Sequence, residues 1–167
     1  MRLLQLNLLA MVFLFLATSC QKDESFTSEE ANYTIDLNLA NETDWKMADE
    51  ILVLVNEYRN TLGLTPIISD KQFASAYAVD HSHYMMAKSQ INHDNFGVRA
   101  QALRDNGAER VGENVAFGYN TAEAVVQAWL NSEGHREIIE GNFSHSGFGV
   151  LKASDNRYYF TQLFYKK

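Results

Sequence analysis

Cysteine and proline are almost missing from this 167-residue chain: each occurs once, as Cys20 and Pro66. A single thiol makes no internal disulfide, so any folded part must stand on packing alone. Basic runs are missing too. Fourteen Lys and Arg against 21 Asp and Glu leave a formal net charge of −7, a field that repels phosphate backbones and anionic membrane surfaces. Nucleic acid is therefore excluded as a partner. Nor is there an apolar run long enough to cross a bilayer as a helix, because the unbroken stretch Leu8 to Ala17 is too short. Internal repeats are also lacking. What remains is 46% hydrophobic and 21% charged, an ordinary composition for one soluble domain rather than a disordered chain.

The short apolar run follows a single charge, Arg2, and closes on Thr18-Ser19-Cys20. That order has the form of a secretory signal peptide over residues 1–19, and its end resembles a bacterial lipobox. The resemblance implies that Cys20 is acylated as a lipid anchor, the chain's only membrane attachment. Gln21-Lys22-Asp23-Glu24 resembles the signal that sends some lipoproteins to the outer membrane, exposed at the cell surface. Residues 20–44 are polar and without sustained period, and read as the anchor plus a tether.

The folded domain is expected over residues 45–167. Ile51, Leu52, Val55, Tyr58 and Leu62 recur at helical spacing until Gly63. Ser69-Asp70-Lys71-Gln72 has capping-box form and opens a second helix to about Lys88, with Phe73, Ala76, Tyr77, His81 and Tyr84 along one stripe. A shorter helix is expected around Arg99 to Asp105. Asn120 with Glu123 caps another, whose face is Ala122, Val125, Val126 and Trp129. Gly134 should break it before a turn from His135 to Glu140. Alternation at Phe148, Val150, Tyr158, Phe160 and Leu163 suggests two antiparallel strands. Helices first and strands last give an α+β fold with helices packed around a small antiparallel sheet.

Five histidines offer chemistry. His81 lies on an apolar stripe and reads as a hydrogen-bonded core residue. His83 is turned about 200° from it and reads as surface. His145, between serines, reads as a loop residue. His93 and His135 sit at breaks between elements, where side chains can face a cleft, and Glu113 is a lone carboxylate in Gly112-Glu113-Asn114. Spacing alone does not join these three.

An ordered set of motifs does. Ile91-Asn92-His93, Val111-Gly112-Glu113-Asn114-Val115-Ala116, Trp129-Leu130-Asn131-Ser132 with Gly134-His135-Arg136, Gly147-Phe148-Gly149-Val150 and Phe160-Thr161-Gln162-Leu163-Phe164 follow one another. This order resembles the CAP superfamily of cysteine-rich secretory, antigen 5 and pathogenesis-related-1 proteins, in a short bacterial form. The resemblance implies an α–β–α sandwich with a cavity lined by two histidines and two acids. His93, Glu113 and His135 fall on three of these places. Glu133 is the nearest acid for the fourth, where Ser132 is the alternative alignment.

Two neutral imidazoles, His93 and His135, could ligate a divalent metal such as zinc, and Glu113 beside His135 could work as an acid/base pair. No activated nucleophile is evident: Cys20 is committed to the anchor and Ser132 lacks a nucleophile-elbow context. The leading expectation is an exported lipoprotein that binds a small hydrophobic or peptide ligand. Its alternatives are a metal- or glutamate-assisted hydrolase, acting on protein or cell wall, and a surface scaffold with a vestigial cavity.

Overall fold

A computed structural model describes residues 34–167. The expected leader, Cys20 and the tether up to residue 33 lie outside the described residues. Within them no helix is long and apolar enough to cross a membrane.

Helix α1 (Trp45–Thr61) starts where Asp44 accepts a hydrogen bond from the Met47 amide, and buries Met47, Ala48, Ile51, Val55 and Arg59. Its chain turns away at Gly63, whose φ of +69° few other residues adopt. A two-residue strand β1 (Ile68–Ser69) leads to α2 (Phe73–Lys88). The carboxylate of Asp70 caps α2, accepting from the amides of Gln72, Phe73 and Ala74. The expected role of Ser69 as cap falls to Asp70, because an ionised carboxylate can take several orphan amides at once. Then follow α3 (Phe96–Asp105), β2 (Arg110–Phe117), α4 (Ala122–Asn131), α5 (Glu133–Glu140), β3 (His145–Lys152) and β4 (Tyr158–Lys166).

Three further local expectations change. Thr121, not Asn120, caps α4 through its hydroxyl on the Ala124 amide. Gly134 lies inside α5, and the break falls at Ser132, whose backbone is extended. His145 opens β3 and stacks on Tyr165 at 5.1 Å between ring centroids, rather than standing in a loop.

The sheet runs β1-β3-β4-β2. β3, β4 and β2 are antiparallel neighbours, as the alternation suggested for the last two strands, while β1 adds a short parallel pair on β3. The sheet is thus mixed, not wholly antiparallel.

Strand alternation sends Phe148, Val150, Phe160 and Phe164 to one face, where they meet Ile51, Val55, Val125 and Trp129 of α1 and α4. Leu163 and Tyr165 point the other way, among Ala74, Tyr77 and Leu103 of α2 and α3. The result is the α–β–α sandwich. Gly147 and Gly149 carry no side chain on the α2 face, and α2 presses directly on them: a Cβ at Gly149 would overlap the Ala78 carbonyl.

The tether ends sooner than residue 44. Ile35, Ala40 and Thr43 are buried, Leu37–Glu42 forms a 3₁₀ helix against α2, and the Thr43 hydroxyl donates to the Phe148 carbonyl at 2.7 Å. This segment of mixed polarity shows no helical or strand period. Its burial depends on a surface that the rest of the fold supplies.

Candidate functional site

Strand β2 is an edge of the sheet, and Glu113 sits in it facing the α2 and α3 layer. The Glu113 side chain is 1% exposed and each of its two oxygens is engaged. Arg99 of α3 donates from Nε to Oε2 at 2.7 Å and from Nη2 to Oε1 at 2.8 Å, and His93 places Nδ1 2.8 Å from Oε1. The remaining Arg99 nitrogen, Nη1, donates to the carbonyl of Asp94 at 2.7 Å. Burial pushes the Arg99 guanidinium down from its usual value, while Glu113 beside it opposes that shift.

The loop bearing His93 is tied from behind as well. His81 of α2 is buried, and its Nε2 donates to the Asn92 carbonyl at 2.8 Å. Desolvation lowers the pKa of His81, with the charge of Arg99 adding to it, so this ring is neutral near pH 7. The hydrogen-bonded core histidine read from the sequence is therefore also the support behind the site. His83, two residues on, is exposed and lies 2.7 Å from Glu42.

His135 comes from the other face. It sits in the first turns of α5, half-buried, and the Asn114 side chain, next to Glu113 in β2, donates to its carbonyl at 3.1 Å. The indole of Trp129 donates to the Val115 carbonyl at 3.1 Å and fixes the end of α4 to the same edge. Burial lowers the pKa of His135, and the charge of His93 lowers it further.

Glu133 is not brought to this cluster. It is exposed at the start of α5, two residues and about 200° of helical turn from His135. Ser132 is half-buried at the bend. The residue that the sequence reading missed is Arg99. The signal was present: an arginine four residues before Leu103, both on the buried side of a short helix, requires buried acceptors nearby, an acid or a set of carbonyls.

The donor set can be tested against zinc. His93 and His135 each offer an imidazole nitrogen, but Glu113 has no oxygen free and almost no exposed surface. Among the described residues, no group of three or more His, Cys, Asp or Glu could hold a metal ion. Catalytic zinc usually has three protein ligands. The residues present do not fit a resident zinc centre.

A model of the cysteine-rich secretory protein family, CAP, matches residues 52–164. This chain belongs to the CAP family. It is 34% identical over 109 residues to Bacillus subtilis YkwD, a match covering 62% of this chain and 42% of YkwD. The chain therefore spans less than half the length of that curated relative. An outer surface protein of Borrelia burgdorferi superposes with a TM-score of 0.66 at 25% identity, over 73% of this chain and 93% of that one. An extracellular protein of Bacillus anthracis with an SCP domain gives 0.59 at 31% identity, over 75% of this chain and 44% of that one. In this CAP domain the matched residues contain no cysteine at all, so packing around the sheet holds it without disulfides.

Proposed function

We propose that this CAP domain is a binding module of the cell envelope, which holds a small hydrophobic or peptide ligand at the cleft between His93 and His135. The observation that carries the reading is the engagement of Glu113. Its carboxylate is sealed among Arg99, His93 and the β2 edge, so it supports the His93 imidazole instead of touching what binds. With His135 held neutral near pH 7 by burial, the polar groups offered to a ligand are imidazole nitrogens, few in number as is usual in a small-molecule site.

The hydrolase alternative loses Glu113 as its base, since that buried carboxylate is already held by Arg99 and His93. A divalent metal, if taken up, would rest on His93 and His135 with its remaining ligands from solvent or from the bound molecule. The relatives described as outer-surface or extracellular proteins support an envelope location. Cys20 supplies the lipid anchor and the residues after it favour the surface of the outer membrane.

The test is binding of a fluorescent long-chain alcohol and of a library of short hydrophobic peptides. Saturable binding to the full-length chain, lost in His93→Ala/His135→Ala, is the expected result. No saturable binding from either class, or binding that the double change leaves intact, ends the reading in favour of a scaffold.

A further inference from the structure

Arg99 touches both the group that His93 binds and the backbone beside it. Nε and Nη2 hold the two oxygens of Glu113, while Nη1 holds the carbonyl of Asp94, the residue after His93. His81 holds the carbonyl of Asn92, the residue before. His93 is therefore fixed at its backbone on both sides and at one ring nitrogen, although its side chain is 51% exposed.

We infer that Arg99 is a positioning residue of the cleft: it locks Glu113 so that His93 carries its hydrogen on Nδ1 and turns the Nε2 lone pair outward, which selects ligands that donate a hydrogen bond. The chemistry is that of an acceptor-only partner. An ionised carboxylate has no hydrogen to give, so the nitrogen 2.8 Å from Oε1 must be the donor. In a neutral imidazole the other nitrogen is then the acceptor. The planar guanidinium sets the carboxylate's plane through two parallel bonds, which a lysine ammonium cannot reproduce. The guanidinium itself is buried, so its charge is not offered to anions. A hydroxyl or amide N–H suits the site; a carboxylate or phosphate does not.

The tautomer assignment is independent of ligand binding, whereas the donor preference rests on the binding reading above, and the experiment separates the two. The full-length chain, labelled with ¹⁵N-histidine and held in detergent micelles, is studied by two-bond ¹H–¹⁵N correlation, with His93→Ala to assign the ring. The neutral His93 ring should show a single tautomer, protonated at Nδ1. Arg99→Lys keeps the charge but removes the fork, and should replace that pattern by a mixture of tautomers. A His93 protonated at Nε2 in the unaltered protein overturns the inference, and so does an unchanged single pattern in Arg99→Lys.

Should Arg99→Lys not fold, the unaltered protein still decides, through its own tautomer and through a ligand pair. A long-chain alcohol should bind at least about tenfold more tightly than its methyl ether, the effect of roughly one hydrogen bond. Equal binding of the two overturns the donor preference. Binding of neither removes the module reading while the tautomer result stands.

Discussion

Arg99 and Glu113 form a two-point ion pair, at 2.7 and 2.8 Å, between side chains that are 5% and 1% exposed. At this depth neither charge has water to fall back on. Arg99→Met should therefore cost about 3–5 kcal/mol, the usual result of leaving a buried charge without its partner. Removing both charges, as Arg99→Met with Glu113→Leu, should cost less than the single change. Urea denaturation of the three variants checks this, and a double variant as costly as the sum of the singles contradicts it.

Gly149 measures how closely α2 lies on the sheet. A methyl group there would overlap the backbone of Ala78 and come within 2.6 Å of the Val79 nitrogen, and helix backbone cannot rotate aside as a side chain does. Gly149→Ala should destabilise the domain by about 3 kcal/mol, the upper part of the overpacking range. Gly134→Ala is the control, since a Cβ there meets nothing within 4 Å and helix propensity favours alanine. A Gly149→Ala protein as stable as the parent would mean that α2 does not pack this closely.

These contacts also explain what the sequence could and could not reveal. The helical stripes were legible because burial on one face writes a period into the sequence, and the two final strands, although buried on both faces, showed because Gly147, Gly149 and Thr161 interleave with large apolar residues. β2 was harder to see: Gly112 to Ala116 is buried on both faces, so Glu113 and Asn114 interrupt the pattern of an ordinary strand. The Asp70 cap was hidden for another reason. A capping box and a plain aspartate cap share the same residues here, and only geometry separates them. His93 and Glu113, which are in contact, were linked in the sequence by the order of their motifs, since no local spacing joins positions so far apart along the chain. Arg99 needed its partner to be recognised, and Glu133 was placed by proximity in sequence, which a helix converts into opposite sides.

Arg59 is a second buried cation, and it has carbonyls in place of an acid. Its Nε and Nη2 donate to the Thr65 carbonyl at 3.0 and 2.7 Å, and Nη1 donates to Ile139 and Gly141 at the end of α5. Burial lowers its pKa, yet a guanidinium stays charged, and the negative end of the α5 dipole favours it there. Arg59→Met should cost about 3 kcal/mol by orphaning these carbonyls. Arg59→Lys should recover only part of that. Hydrogen exchange should show the loss first at the α5 C-terminus and the loop after it. Uniform loosening across the sheet instead would separate Arg59 from the helix that carries His135.

His81 makes the domain's stability depend on pH, with a definite sign. Desolvation, then the charge of Arg99, lowers its pKa in the folded protein below the ordinary value of 6.5. As pH falls through about 6.5, the unfolded chain takes up a proton that the folded one still refuses, so acid favours unfolding. The contribution is complete above that pH and is lost progressively as pH falls towards the lower folded value. His135 acts in the same sense, for the same leading cause. His81→Gln keeps a donor for the Asn92 carbonyl but cannot titrate. Its stability should therefore fall less steeply between about pH 7 and pH 5 than that of the parent, by denaturant titration at each pH. Equal slopes would show that folding does not shift the titration of this ring, and burial would then not be what keeps the support behind His93 neutral.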